Sequence, residues 1–537
     1  MLRKIWRNSA AVSVLLSAIT AFSAARHKPA KPSNAPLAAQ LDAILADPAV
    51  AGSGWGVSVV SMDGTVLYGH NDGERFAAAS NTKLLTTAAA LATLGPGYTV
   101  TTRVYAQTVD GSTVRGDLTL VGAGDTSMSA RSLPYSQRTE RTGDPLAAFD
   151  DLAAQVARTG VREIAGNIVG DDTRFAWQPW PVGWEWNDLQ WEYGAPVSAL
   201  VANDNVLYLT IAPGAASGDP AVYAWLPQVE HFTLESSIRT VAAGPGVKTA
   251  IGASRVPGSR VVRLWGTIPV GAQPSSLALA ADDPAVLAAE ALKERLAAHG
   301  VKVDGIAVAR HRDAHDVDLG TAETGQEAAG GEPVRSEPVS AESVSGEPSR
   351  GTVVASRVSP ALLQDLTVTN KVSQNLHAEV ALFQIGVAAA GSAAAGLATR
   401  QTALAAERRF LLAAGLAPSD FLLTDGSGLS RDDMVTPRAI TTLLRYATVQ
   451  SWGAAYQSTL PVGGVDGTLS GRFLTAPLKG KVFAKTGSLG EDASLSGYVV
   501  AASGRTVAFS ILCNRHMPGN TARADIDRMV AAIAAVD

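Results

Sequence analysis

The chain has 537 residues, too many for one hydrophobic core, so two or three domains are expected. Its content of 46% hydrophobic and 17% charged residues is that of a globular protein with ample apolar material to bury. The 44 basic and 49 acidic residues leave a net charge of −5, which argues against a nucleic-acid backbone or an anionic membrane as partner.

Arg3, Lys4 and Arg7 open the chain, an apolar run follows from Ala10 to Phe22, and Ser23, Ala24 and Ala25 offer a cleavage site. That order predicts a secretory signal peptide over residues 1–25. The apolar run is shorter than the ~20 residues a spanning helix needs, so no stable membrane span is expected after cleavage. Loss of those three basic residues moves the net charge to −8. Cys513 is the only cysteine, which rules out an intrachain disulfide; in "TVAFSILCNRH" it reads as a small buried hydrophobe. Export is then matched by a large core rather than by covalent staples.

A short helix is predicted in "PLAAQLDAILADP". "GWGVSVVSMDGTVLYGHN" follows as two strands around a Met62-Asp63-Gly64 turn. A helix opens near Ser80 and stops at Gly95-Pro96-Gly97. Residues 98–274 change texture to β-rich segments separated by Gly and Pro, and read as an inserted, mainly β region. Asp283 and Pro284 then cap and start a helix that Gly300 ends. Residues 313–350, with the degenerate Glu-Pro-Val tract "GGEPVRSEPVSAESVSGEPS", lose periodicity and are expected to be a disordered surface loop. Helical patterns return over 360–450, and a hairpin and a final helix close the chain. Strands at both ends of a helical middle predict one α/β domain, residues 35–97 and 275–537, interrupted by the insertion.

Three short stretches carry chemistry. In "AAASNTKLLTTAAALATLG" Lys83 lies one helical turn after Ser80, so a hydroxyl and an amine share a face. Alone, the pair reads equally as a capped helix with a snorkelling lysine. "TNKVSQNLHAEVALF" places Ser373 and Asn375 before an apolar helix, a pattern that by itself is a helix cap. "KVFAKTGSLGE" ends a strand on Lys485-Thr486-Gly487, and solvated lysines on edge strands are common. The ordered set of Ser-x-x-Lys, Ser-x-Asn and Lys-Thr-Gly in an exported protein is far more specific, being the trio of penicillin-recognising serine enzymes.

On these residues the chain resembles the class C low-molecular-mass penicillin-binding proteins, the D-alanyl-D-alanine carboxypeptidase/endopeptidases. The resemblance extends to "DGSGLSR" (425–431), "LPVGGVDGTL" (460–469) and "GWEWNDLQWEYGAPVSAL" (183–200). The 293-residue gap between Ser80 and Ser373 also fits, because that family inserts extra domains there. The 313–350 tract is the main departure. The resemblance implies an α/β (α+β) domain of the penicillin-recognising serine transpeptidase/β-lactamase type, with an antiparallel sheet, helices and the large insertion.

It further implies an exported, periplasmic serine peptidase without cofactor or metal. Peptidoglycan stem peptides would be its substrates and β-lactams its covalent inhibitors. Ser80 would be the nucleophile, Lys83 its base once neutral, Ser373 a proton relay, and Asn375 and Lys485 their partners. The backbone N–H groups of Ser80 and Ser488 would form the oxyanion hole, Lys485 and Thr486 would hold the terminal carboxylate, and Gly487 would let substrate lie close. Asp188, Tyr193 and Arg431 would line the pocket for the far end of the stem, with Asp188 facing an ammonium; a packed Tyr193 and a structural bridge at Asp188 are the even alternative.

Three competing chemistries are weaker. A Ser-His-Asp hydrolase needs a histidine in play, and His377, the only one beside a motif, lies on an apolar helical run where a packed or exposed role is expected. His311 and His315 are four apart but belong to no metal-binding pattern, and no phosphate-cradling glycine loop is present. A β-lactamase shares the trio but must deacylate fast, and a non-catalytic wall-binding protein would not be expected to keep all five of Ser80, Lys83, Ser373, Asn375 and Lys485.

Overall fold

The computed structural model describes residues 36–136, 143–313, 351–390, 398–517 and 522–536. The expected signal peptide, and the expected loop apart from Asp313, lie outside the described residues.

Five antiparallel strands form the main sheet, in the order Val66–His70, Gly54–Ser61, Thr506–Asn514, Asp492–Val500 and Val482–Leu489. Two come from near the N-terminus and three from the C-terminal end, and pairs such as Trp55 with Cys513 and Val59 with Phe509 join the two ends of the chain. Side chains alternate across a strand. Phe509, Ile511 and Cys513 therefore meet Leu41, Met529, Val530 and Ile533 of the two terminal helices, Leu37–Leu45 and Ala522–Ala534. Ala508 and Leu512 meet Leu84, Leu85, Leu443, Leu444 and Tyr456 on the opposite face. Burial on both faces is why this strand reads as one continuous apolar run rather than as an alternation. Each large side chain so buried contributes roughly 1.5–3 kcal/mol, and Cys513 belongs to this core as expected.

Local signals form where they were expected. The hairpin turns at Gly64, whose φ of 101° suits only glycine well. The helix Thr82–Leu94 stops at Gly95, and the Asp283 carboxylate accepts the N–H groups of Ala285 and Val286 at the start of Pro284–Ala298.

The inserted region is built on a five-stranded sheet ordered Ala307–Arg310, Ile168–Asp171, Leu118–Val121, Thr101–Ala106 and Thr352–Val358. Helices Ala147–Arg158 and Pro284–Ala298 pack on it. A smaller β body carries Val206–Ala212, Val222–Leu226, Val261–Pro269 and Ser275–Ala280. The packing does not change at residue 274: Thr352–Val358 pairs with Thr101–Ala106, and Leu287, Leu292 and Leu296 share a core with Phe149 and Leu152. Pairing between strands some 250 residues apart leaves no local trace, so the change of texture near 274 reflects the switch from strand to helix rather than the end of the inserted body. Phe175 and Val197 of the insertion pack with Leu376, Val380 and Phe383. That contact sets the insertion against the helix Asn375–Ala390, which carries the second motif.

Candidate active site

Ser80 lies in the turn Ala79–Asn81 at the mouth of the helix Thr82–Leu94. A backbone conformation and two hydrogen bonds shape that turn. Ala79 takes a left-handed φ of 47°, Asn81 Nδ2 donates to Ser494 Oγ, and Ser494 Oγ donates to the Ala78 carbonyl at 2.8 Å. Helical spacing then brings Lys83 Nζ to 2.9 Å from Ser80 Oγ. The ammonium side of Lys83 also reaches Asn375 Oδ1 at 2.6 Å and the Ser427 carbonyl at 2.7 Å. Lys83 is fully buried. Burial drives its pKa down to about 7, against the opposing pull of Asp425, Glu379 and Asp433.

Ser373 occupies the turn between the helices Leu362–Lys371 and Asn375–Ala390, with a φ of 64°. An ion pair from Lys371 Nζ to Asp466 at 2.6 Å braces the turn against the "VGGVDGTL" segment. Lys485 Nζ donates to Ser373 Oγ at 2.8 Å and to the Thr486 carbonyl at 2.8 Å. Burial, reinforced by the Lys83 charge, holds Lys485 well below its ordinary pKa. Thr486 Oγ1 meets Thr468 Oγ1 at 2.8 Å, and Ser488 is exposed on the same strand. That strand, Val482–Leu489, is the last of the main sheet. Its first residues pair outward with residues 461–463, through Ala484 N–H to the Pro461 carbonyl and Gly463 N–H to the Val482 carbonyl. It is therefore the part from Thr486 onward that offers an edge to an added strand.

Gly487 is where strand and turn come closest. A Cβ there would lie 2.1 Å from Ser494 Oγ, 2.8 Å from the Ala78 carbonyl and 3.0 Å from Asn81 Nδ2. A Gly487→Ala variant must therefore push the strand away from Ser80. A misplacement of about 1 Å costs roughly 100-fold in rate, and kcat/KM on a D-alanyl-D-alanine peptide is expected to fall by that order. A loss of less than about threefold would contradict the close fit.

The three residues expected at the far end, Asp188, Tyr193 and Arg431, lie next to these motifs. Asn375 Nδ2 donates to the Tyr193 carbonyl at 2.9 Å, and the Tyr193 hydroxyl donates to Asp188 Oδ1 at 3.2 Å. Tyr193 is 42% exposed, so it is not a core residue, whereas Asp188 is buried and its pKa is raised by that burial. Arg431 pairs with Glu185 above Asp188.

A buried layer of carboxylates beneath Lys83 was not singled out from the sequence. Asp425 accepts the N–H groups of Ser427 at 2.9 Å, Gly428 at 2.6 Å and Ser430 at 2.7 Å, and Trp184 Nε1 at 2.8 Å. These bonds curl the "DGSGLSR" loop so that the Ser427 carbonyl points at Lys83, and Gly428 lets it press on the Ala79 carbonyl, which a Cβ would approach to 2.0 Å. Burial works against ionisation of Asp425, but its many donors, Asp433 first, hold its pKa down; burial and the Asp425 charge push Asp433 far up. Glu379 accepts the Gly426 N–H at 2.8 Å and pairs with Arg400. A helix-spaced Glu four residues after Asn375, and an Asp opening a Gly-Ser-Gly turn, were the available signals.

His377 is not beside Ser80's lysine. It sits between Asp365 at 2.7 Å and Asp204 at 3.2 Å. Burial opposes its charge, but the two carboxylates outweigh it and lift the pKa to about 9, so the ring is a protonated structural partner rather than a base. His311 pairs with Asp172 and Asp283 and stacks on Trp177, while His315 lies outside the described residues.

Known proteins resemble this chain over most of its length. The chain is 33% identical over 493 residues to the D-alanyl-D-alanine carboxypeptidase of Actinomadura sp. (strain R39), covering 89% of this chain and 80% of that protein. It is 25% identical over 388 residues to the D-alanyl-D-alanine carboxypeptidase DacB of Haemophilus influenzae, covering 71% of this chain and 72% of that one. Penicillin binding protein 4 (dacB) from Haemophilus influenzae shares the fold, with a TM-score of 0.72 at 21% identity over 91% of this chain and 97% of that structure. A family model matches residues 37–321 and 338–536, almost all of the described chain, and by that match the protein belongs to the D-Ala-D-Ala carboxypeptidase 3 (S13) family.

Proposed function

We propose that this serine-type D-Ala-D-Ala carboxypeptidase works through an acyl-enzyme on Ser80. The observation that carries the reading is Lys83, fully buried, 2.9 Å from Ser80 Oγ and brought to about pKa 7. An amine in that state is neutral for much of the time near neutral pH and accepts a proton from an otherwise poor nucleophile. Ser80 Oγ attacks the carbonyl between the two terminal D-alanines of a peptidoglycan stem, its proton passing to Lys83. The C–N bond breaks as the leaving amine takes a proton through Ser373, which Lys485 holds at 2.8 Å. Water then releases the acyl group and restores the serine.

The remaining residues take supporting roles. Asn375 holds Lys83 and a substrate amide. Lys485 and Thr486 bind the terminal carboxylate, and the N–H groups of Ser80 and Ser488 hold the oxyanion, each worth ~3 kcal/mol of barrier. Asp188, Tyr193 and Arg431 receive the far end of the stem. A β-lactam offers the same carbonyl and carboxylate in a strained ring, so it acylates Ser80 and blocks it; the Haemophilus penicillin binding protein 4 fold has been solved in complex with a β-lactam. The enzyme acts after export, in the periplasm. Among the described residues no helix is long and apolar enough to cross a membrane.

Mature protein given equal amounts of a pentapeptide muropeptide and a cross-linked dimer provides the test, with products followed by mass spectrometry. Loss of D-alanine from the monomer is expected, and splitting of the dimer would add endopeptidase action. If neither reacts while the protein stays folded, the catalytic reading fails.

A further inference from the structure

Beside Asp188, Tyr193 and Arg431 the site carries an acid, Glu185, to which the roles above assign nothing. Arg431 leaves the "DGSGLSR" loop with its N–H bonded to the Gly183 carbonyl at 3.1 Å. Its guanidinium lies beside Gly490, where a Cβ would be 3.4 Å from Nη1, just past the end of the edge strand. It is the group there best shaped to grip a carboxylate, because its fork of donors matches two oxygens at once. In this chain Glu185 Oε1 already pairs with the Nε of that guanidinium. Glu185 comes from the inserted region, three residues before Asp188, and its charge also bears on Asp188 and Tyr193. Asp492, on the neighbouring strand, feels Arg431 as well. One guanidinium that is already paired with Glu185 thus also interacts by charge with two further carboxylates, Asp188 and Asp492.

Such a pocket favours an ammonium and disfavours a second carboxylate. A free carboxylate meets an Arg431 already paired through Nε and feels the charges of Glu185, Asp188 and Asp492. An ammonium meets Asp188 without breaking any bond. A carboxamide is tolerated, since it carries no charge to repel.

We infer that Glu185 is a specificity-determining residue: it occupies Arg431 and so selects stem peptides whose side chain ends in an amine without a free carboxylate, the lysine type or an amidated diamino diacid. This rests on the catalytic reading above and names the substrate class of the same site. Glu185 and Arg431 are about 40% exposed, so solvent screens the pair and the effect is modest.

The test uses three acyl-D-alanyl-D-alanine peptides that differ only in the penultimate side chain: lysine, meso-diaminopimelate, and its ε-carboxamide. Release of D-alanine is measured for the full mature chain and for Glu185→Gln. The lysine and carboxamide peptides are expected to exceed the free-carboxylate peptide in kcat/KM by about fivefold, with the difference in KM. In Glu185→Gln Arg431 is released, and the ratio is expected to fall to about one or to invert. A merely structural role for Glu185 would lower all three rates together and leave the ratio alone. An unchanged ratio in Glu185→Gln, or a preference of the parent enzyme for the free carboxylate, would overturn the inference while leaving D-alanine release intact. If no peptide releases D-alanine and no β-lactam adduct forms, the catalytic reading has failed and this inference falls with it.

Discussion

A Ser80→Ala enzyme is expected to lose D-alanine release by about 10⁴-fold or more, and to gain no mass on incubation with a β-lactam. The oxygen that would carry the acyl group is gone. Ser373 also lies 2.8 Å from a lysine of lowered pKa, Lys485, but it sits in the turn before Asn375, where the proposed mechanism places the leaving group. A factor of 10⁴ corresponds to roughly 5.5 kcal/mol of transition-state stabilisation. The fold should not pay for the change. Lys83 keeps Asn375 Oδ1 at 2.6 Å and the Ser427 carbonyl at 2.7 Å, and the turn keeps its Asn81 and Ser494 anchors. Melting within about 2 °C of the parent, a shift worth roughly 1–2 kcal/mol in a chain of this size, together with an absent adduct in intact-mass spectra, would assign the chemistry to Ser80. An undiminished adduct on Ser80→Ala would place the nucleophile elsewhere.

The site was legible because its residues announce themselves by local spacing. Ser80 and Lys83 need only one helical turn to meet, and Ser373 with Asn375, or Lys485 with Gly487, are each a few residues apart. What joins the three pairs is long-range: Lys83 to Asn375 spans 292 residues and Lys485 to Ser373 spans 112. Only the resemblance supplied that junction. The main sheet was similarly readable from strands at the two ends of the chain, while the extent of the insertion was not. Thr352–Val358 has no local mark of its partner, and the helix Pro284–Ala298 carries a stop and start signal that fits either body.

The buried acids fall between these cases. Asp425 reads in sequence as a turn former before Gly-Ser-Gly, which it is, since its carboxylate takes three backbone N–H groups of its own loop. Nothing local says that the loop it shapes aims a carbonyl at Lys83. Glu379 reads as an ordinary polar residue on a helix, yet it is fully buried and tied to Gly426 and Arg400. A charge is costly to bury without partners, so an acid on a helix as apolar as Asn375–Ala390 was the one hint of a function on that face.

Those acids matter most for the state of Lys83, which sets the second large effect. In the proposed mechanism Lys83 serves only when neutral, and its pKa of about 7 is a balance of burial, which lowers it, against Asp425, Glu379 and Asp433, which raise it. The sign follows directly: the reactive fraction falls as pH drops below 7 and saturates above it. The rate constant for acylation by a β-lactam is therefore expected to fall tenfold per unit on the acid side, to about a hundredth of its plateau at pH 5. Stopped-flow acylation between pH 4.5 and 8.5 measures it, and a flat profile would show that Lys83 is not the base. A Lys83→Met variant fills similar volume without a proton acceptor and should acylate about 10³-fold more slowly than the parent's plateau, at a rate that no longer changes with pH, so that the gap narrows to about tenfold at pH 5. It also leaves Asn375 Oδ1 and the Ser427 carbonyl without their donor, at about 1–3 kcal/mol for each buried group, so its melting temperature should fall as well. The two readouts separate: loss of packing lowers stability and rate together, but only loss of the titrating amine removes the pH dependence from whatever activity remains.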